Sequence, residues 1–279
     1  MKRLYVALIS LLVNADVIAE ELEFYDFSDV TNITLNGRAL DLNPNNDGAL
    51  SLTDDLWQSS SALFTQALTL DNLASFSAAF QFQITDPQGI YDNDGQGADG
   101  ITFIVQANPN SVGQFGGGIG YQGLTNSVAV ELDTWRNPAF DGNSGNHVAI
   151  NKDGNMQPVV LADIDNRMNN GELWSVWVDY DGLNEIMEVR VAENNVRPKQ
   201  AKLSANIDLQ ETLGTSIAYV GFTSGTGAAG GDHDIVNLQF YDDYNPVTVI
   251  TVDEPDTRIL FALSIGMFVI FGRLPNRMA

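Results

Sequence analysis

The sequence predicts an all-β fold, a jelly-roll β-sandwich in a single domain. Three observations predict it. From Leu22 to Tyr244 the chain runs in short stretches of alternating apolar and polar residues, broken by Gly, Asn and Asp. Alternation with period two places successive side chains on opposite faces of a strand. No long window carries a helical apolar period, and no strand-helix alternation is present, which removes helical bundles and βαβ architectures. Hydrophobic residues make up 44% of the 279 positions, ample for one large core, and a sandwich of about 200–250 residues is commonly a single domain.

In chain order, Met1 to Ala19 has the form of a secretory signal peptide. Lys2 and Arg3 supply a positive end, Leu4 to Val13 an apolar run, and Val17-Ile18-Ala19 a small-residue cleavage site, with cleavage after Ala15 as the competing choice. The sandwich is therefore expected over residues 20–244. Strands are expected at Phe80–Ile84, Ile101–Val105, Val128–Asp133, His147–Ile150, Trp174–Tyr180, Met187–Val191, Ala218–Phe222 and Ile235–Tyr241. Asn245 to Asp256, bearing Pro, Thr and Asp, reads as a linker. Ile259 to Gly272 is almost wholly apolar and is followed by Arg273 and Arg277. It is short of the about 20 residues that cross a bilayer comfortably, and longer than core strands usually are.

Charge and cysteine content narrow the function. Asp and Glu number 36 against 13 Lys and Arg, a formal net charge of −23. Nucleic acid and anionic lipid are polyanions, so neither is expected as the main partner. Divalent cations fit such a surface. With no cysteine there is no disulfide, no thiolate zinc site and no cysteine nucleophile.

The richest chemistry lies in Ser127 to Ile150, SVAVELDTWRNPAFDGNSGNHVAI. In the strand that opens it, Glu131 and Asp133 have the same parity and point the same way, roughly 7 Å apart. Two such carboxylates repel unless something neutralises them. Asn137, Asp141 and His147 follow within one loop's reach. Oxygen donors suit Ca²⁺, and an imidazole beside carboxylates suits Mn²⁺ or another transition ion. A polar strand edge with a solvated turn is the plainer alternative. Glu131 and Asp133 can also be read as the paired acids of a retaining glycoside hydrolase, which stand about 5–5.5 Å apart. Laminarinase-type enzymes carry a further Glu on that face, whereas here the face continues with Trp135 and Asn137.

Three other motifs are weaker. Gly118-Ile-Gly-Tyr-Gln-Gly123 matches GxGxxG, but a strand rather than a helix follows it, so no nucleotide site is expected. Asp92-Asn-Asp-Gly-Gln-Gly97 opens like a calcium-binding EF-hand loop, yet its twelfth position is Phe103 and no helices flank it. His233, in Gly-Asp-His-Asp, reads as a turn or rim residue rather than a ligand.

Taken together, several segments resemble the legume-type (L-type) lectins, the concanavalin-like sandwiches. They are Gly97-Ala-Asp-Gly-Ile-Thr-Phe103, the run Gly116 to Gly120, Val128 to Trp135 with Asn137, His147-Val-Ala-Ile150, Val220-Gly-Phe-Thr-Ser224 and His233-Asp-Ile-Val236. The likeness covers about Glu23 to Tyr241. It implies a carbohydrate-binding protein without catalysis, with glycans or exopolysaccharide as partners. Glu131, Asp133, Asp141 and His147 match the family's transition-metal ligands. Asp133, Asn137, Asp141 and the carbonyl of Trp135 match its Ca²⁺ ligands. Asp99, after a cis Ala98-Asp99 peptide, matches the acceptor of sugar hydroxyls, and Asn137 and the backbone N–H of Gly117 complete the polar contacts. Trp135 would offer its ring to the sugar, with Ala228, Ala229 and Gly230 as a specificity rim.

The C-terminus resembles the bacterial PEP-CTERM sorting signal: Glu254-Pro255, Thr257, the apolar run and the basic end. Asp253 stands where that motif has its first Pro. The resemblance implies a bacterial protein exported to the envelope surface or matrix. Residues 257–279 would then be read by sorting machinery, or retained as a transmembrane anchor. Several copies acting together, in a homo-oligomer or on a surface, would make weak sugar contacts useful.

Overall fold

A computed structural model describes residues 21–24, 26–38, 48–70 and 73–250. The expected signal peptide and the C-terminal sorting segment lie outside the described residues. Among the described residues there are fifteen strands: β1 Glu21–Phe24, β2 Ile33–Gly37, β3 Leu50–Thr53, β4 Ser59–Phe64, β5 Leu68–Thr69, β6 Phe76–Gly89, β7 Gly100–Gln106, β8 Ser127–Asp133, β9 His147–Lys152, β10 Val160–Asp163, β11 Trp174–Asp181, β12 Ile186–Ala192, β13 Leu203–Asn206, β14 Ile217–Gly225 and β15 Ala229–Tyr241. All eight strands expected from the sequence are among them.

The strands form two antiparallel sheets. One has the order β1-β15-β6-β11-β12-β13, with β3 also on β15. The other has the order β10-β9-β8-β7-β14-β4-β2, with β5 also on β14. Each sheet turns one parity of its strands toward the other. Phe76, Ala78, Phe80, Phe82 and Ile84 of β6 enter the shared core, as do Ile101, Phe103 and Val105 of β7 and Val128, Val130 and Leu132 of β8. Phe103 joins the two sheets: its ring centroid lies 5.8 Å from that of Phe80 on the facing sheet, and 5.9 Å from that of Phe222 on the neighbouring strand β14. Burying each such ring removes a large apolar area from water, at about 25 cal/mol per Å².

The outer face of β7 and β8 is also covered. Ile119, Tyr121, Leu124 and Met156 close over Leu63, Ile104 and Ala129. Ile119, Tyr121 and Leu124 come from the glycine-rich segment, which turns through one 3₁₀ turn at Gly116–Gly118, and Met156 from the loop after β9. This loop brings its glycines to the open end of the eight-stranded sheet. Among the described residues there is one α-helix, α1 Leu209–Leu213, capped by Asp208, whose side chain accepts from the Glu211 N–H at 2.7 Å.

Two placements differ from expectation. His233 is not in a turn: it is a fully buried residue of β15, paired in register with Thr53 and Ile84, and its Nδ1 is hydrogen-bonded to Thr53 Oγ1. The alternation of β15 begins earlier than its apolar residues suggest, because Asp232 and His233 are polar. The sandwich also ends later than residue 244. Ile250 is buried against Trp177 and Ala79, and its N–H reaches Asn195 O at 3.0 Å, so the first part of the expected linker packs on the sheet. Its apolar residues Val247 and Ile250 supply the reason.

Candidate metal and carbohydrate site

The site is built by strand parity and register. With Val128, Val130 and Leu132 turned into the core, Glu131 and Asp133 necessarily face outward on β8. In β9, Val148 and Ile150 are the core residues, so His147, Ala149 and Asn151 share the outer face. Antiparallel pairing sets Asp133 opposite His147 and Glu131 opposite Ala149. Ligand atoms of Glu131, Asp133 and His147 consequently all lie within 4.8 Å of one another. Asn151 was not legible as a site residue; its Nδ2 donates to Glu131 Oε2 at 2.7 Å and orients that carboxylate. The signal was present, since continuing the period-two pattern one step past Ile150 puts Asn151 on the face of His147.

All three grouped residues are buried, and their polar atoms are short of partners. Glu131 Oε1, Asp133 Oδ2 and both ring nitrogens of His147 have no hydrogen bond. None of the ion pairs among the described residues reaches them. Burial pushes the Glu131 and Asp133 carboxyls well above the usual range, and their mutual proximity and the charge of Asp141 add to this. Burial lowers His147 to about 4, leaving a neutral imidazole with free lone-pair capacity. Buried polar groups normally find partners, and an unneutralised buried charge costs several kcal/mol. Two carboxylates and a neutral imidazole within a few ångströms have the donor chemistry of a divalent cation site.

The loop after β8 is ordered by the same acids. Asp133 Oδ1 accepts from the Trp135 N–H at 2.6 Å, and Asp141 Oδ2 accepts from the Asn137 N–H at 2.5 Å. Phe140 N and Asp141 N both donate to Asn137 O, at 2.9 and 3.0 Å, closing the turn between the two residues. Asp141 is not in the close group of three. Burial raises its carboxyl to about 6, and its charge is felt at Asp99, Glu131 and Asp133. Trp135 and Asn137 are part-buried on this loop.

Asp99 precedes β7 and follows a cis Ala98-Asp99 peptide. Its N–H donates to Gly225 O at 3.1 Å, and its carbonyl accepts from Thr134 N at 2.8 Å, so the ends of β14 and β8 hold it in place. Its Oδ2 is buried without a partner, and burial first, then the charge of Asp141, pushes the carboxyl up to about 8. Gly100, the next residue, pairs with Asp133; a Cβ there would stand 2.2 Å from Leu132 O, so only glycine allows this approach. Gly117 likewise lies against Asn137, where a Cβ would meet Oδ1 at 2.6 Å and Nδ2 at 2.7 Å. Nδ2 of Asn137 is buried without a partner in hydrogen-bonding geometry.

Ala229 and Gly230 are buried at the start of β15, opposite Gly89 and Gln88. The residue of this turn that borders Asp99 is Gly227, where a Cβ would lie 3.5 Å from Asp99 Oδ2 and 3.2 Å from Gly116 Cα.

Comparison with known proteins places this geometry. The description of the legume lectin domain matches residues 19–254. The chain belongs to the legume lectin domain family. Among relatives of this legume lectin domain, the L-type lectin-domain containing receptor kinase VIII.1 of Arabidopsis thaliana is 31% identical over 169 residues, 58% of this chain and 22% of the kinase. Bark agglutinin I polypeptide B of Robinia pseudoacacia is 32% identical over 166 residues, 57% of this chain and 54% of that protein. The chain thus spans about a fifth to a third of the receptor kinases it matches and about half of the agglutinin. Among solved structures, lectin I-B4 from Griffonia simplicifolia in its metal-free form superimposes with a TM-score of 0.66 at 25% identity, covering 79% of this chain and 98% of the lectin. The acidic lectin of winged bean complexed with methyl-α-D-galactose shares the fold, with a TM-score of 0.68 at 24% identity over 80% of this chain and 98% of that one. Legume lectin domains are carbohydrate-binding and not enzymes, so Glu131 and Asp133 are not a hydrolase pair. Their burial, at 1% and 0% exposure, agrees: neither carboxyl is open to a glycosidic bond.

Proposed function

We propose that the protein is a metal-dependent lectin, exported to a bacterial envelope surface or its matrix, that binds glycans or exopolysaccharide through Asp99, Gly117, Trp135 and Asn137. The observation that carries it is the set of buried, partnerless polar atoms of Glu131, Asp133, His147, Asp99 and Asn137, gathered at one end of the eight-stranded sheet. Glu131, Asp133, Asp141 and His147 would hold Mn²⁺ or another transition ion. Asp133, Asn137, Asp141 and the Trp135 carbonyl would hold Ca²⁺. Bound there, the cations would neutralise the acids and stiffen the loop Trp135 to Asp141.

The chain's own groups then have defined tasks. Asp99 accepts hydrogen bonds from sugar hydroxyls through Oδ2, Asn137 donates through Nδ2, and the Gly117 backbone N–H can donate because no side chain stands in front of it. Trp135 supplies an apolar face for the C–H side of the ring. One sugar in a shallow site of this kind binds with about 4 kcal/mol, a millimolar affinity, so adhesion needs several copies. Residues 1–19 would be removed on export, and residues 257–279 would be the sorting or anchor segment.

A glycan array run with and without EDTA tests the reading. Binding that EDTA abolishes and added Ca²⁺ and Mn²⁺ restore is expected, as is its loss in Asp99→Ala with an unchanged circular dichroism spectrum. No glycan bound under any metal condition, with only a fall in melting temperature on chelation, would instead make this a structural surface protein.

A further inference from the structure

We propose that Trp57 and Phe115 form a second carbohydrate subsite, an aromatic platform that stacks the sugar ring next to the one held at Asp99 and Gly117, and so selects neutral oligosaccharides over single sugars. The inference rests on the lectin reading above. Trp57 is 62% exposed and Phe115 54% exposed. Their ring centroids are 5.8 Å apart at an interplanar angle of 72°, an edge-to-face pair standing in water. Large apolar groups set side by side on a surface mark contact sites more often than chance would place them there.

The platform is rigid. In the turn before β4, Asp54 N and Asp55 N donate to Gln58 Oε1 at 2.9 and 3.3 Å, and Gln58 Nε2 returns a bond to Asp54 Oδ1 at 2.7 Å. Trp57 sits at φ +60°. A bulky side chain seldom adopts this left-handed conformation unless its surroundings impose it. What imposes it is the loop after β14. Trp57 N donates to Gly227 O at 3.2 Å, Thr226 N to Gln58 O at 3.0 Å, and Gln58 N to Thr226 Oγ1 at 3.0 Å.

That same loop borders the candidate sugar site. Gly116 N donates to Thr226 O at 3.0 Å, which fixes Phe115 immediately before Gly116 and Gly117. Gly227 lies beside both Gly116 and Asp99. One two-residue hinge point, Thr226-Gly227, therefore carries the aromatic pair on one side and the sugar acceptor on the other. A sugar linked to one seated at Asp99 can leave across this boundary, where two exposed aromatic faces stand in contact and are tied to the site by these bonds. Aromatic faces suit the apolar C–H side of a pyranose. Asp54 and Asp55 are exposed on the same turn, and with a net charge of −23 they disfavour uronic or sulfated sugars.

The test uses galactose, N-acetylgalactosamine, mannose, glucose and fucose, each as a methyl glycoside and as the terminus of neutral di- and trisaccharides, with Ca²⁺ and Mn²⁺ present. The wild-type protein should bind at least one oligosaccharide about tenfold better than the methyl glycoside of its terminal sugar. Trp57→Ala and Phe115→Ala should each lose most of that margin, leave methyl glycoside binding and melting temperature unchanged, and be rescued by Trp57→Phe and Phe115→Tyr. Glycoside binding with no oligosaccharide margin, or a margin untouched by both alanine variants, overturns this inference alone. So does a Trp57→Ala variant whose only change is in sedimentation, which would make the pair a contact between copies. A wild-type protein that binds no saccharide overturns the lectin reading, and this inference with it.

Discussion

Replacing Gly117 with Ala should abolish sugar binding and leave the sandwich standing. A Cβ on Gly117 would lie 2.6 Å from Asn137 Oδ1, 2.7 Å from Nδ2 and 2.8 Å from Cγ. Non-bonded heavy atoms keep roughly 3.5 Å from a carbon, so the amide has to withdraw by about 0.5 Å or more. Binding constellations tolerate displacements of about 0.5 Å. In the proposed site this amide serves twice, through Oδ1 toward Ca²⁺ and through Nδ2 toward the sugar. Losing the hydrogen bond from Nδ2 to the sugar leaves a buried donor unsatisfied and costs about 1–3 kcal/mol, or roughly 5- to 150-fold in affinity, and displacing Oδ1 removes a Ca²⁺ ligand besides. From a millimolar start, binding passes out of reach of titration calorimetry. Gly117 does not lie in the left-handed region, so Ala fits its backbone and the melting temperature should move by only a few degrees. Titration of the array-selected glycan in Ca²⁺ and Mn²⁺, beside a thermal melt, is the measurement. Affinity within threefold of wild type would refute the placing of the Asn137 amide in the site.

Two further outcomes follow from the interior. Burial holds the His233 imidazole down to about 3, so between its ordinary 6.5 and about 3 the unfolded chain binds a proton that the folded chain does not. Stability should therefore be full above pH 6.5 and fall as the pH drops, by about 1.4 kcal/mol per unit. Urea melts at pH 7, 5 and 4 should show a smaller loss in His233→Gln than in wild type, and equal slopes would contradict it. Phe103→Ala removes a ring that packs on Phe80 of the facing sheet and on Phe222 of its own. It should destabilise the fold by about 3–5 kcal/mol in a urea titration, and a loss under 1 kcal/mol would mean that the neighbouring rings refill the space.

Much of the candidate metal group was legible before any coordinates, for a physical reason. Side chains alternate along a strand that has no bulge, so once Val128, Val130 and Leu132 read as core, Glu131 and Asp133 had to share the other face. The two-layer class was legible by the same logic, since repeated short alternating runs need a second apolar layer to cover them. Asn151 escaped because the sequence reading ended this strand at Ile150, whereas β9 runs on to Lys152.

What the sequence determined by itself is local: where eight of the fifteen described strands lie, which face their side chains take, and which acids stand together. What only the tertiary structure decided is who meets whom across long separations. Register set His147 opposite Asp133, the folding of the glycine segment brought Gly117 onto Asn137, and loop packing put Trp57 and Phe115 beside Gly227. His233 shows the same limit, since its burial depends on Thr53, which lies 180 positions away along the chain. Periodicity reports the geometry of one strand, whereas these contacts arise from closing long loops against a shared core, and no short window of residues carries that information.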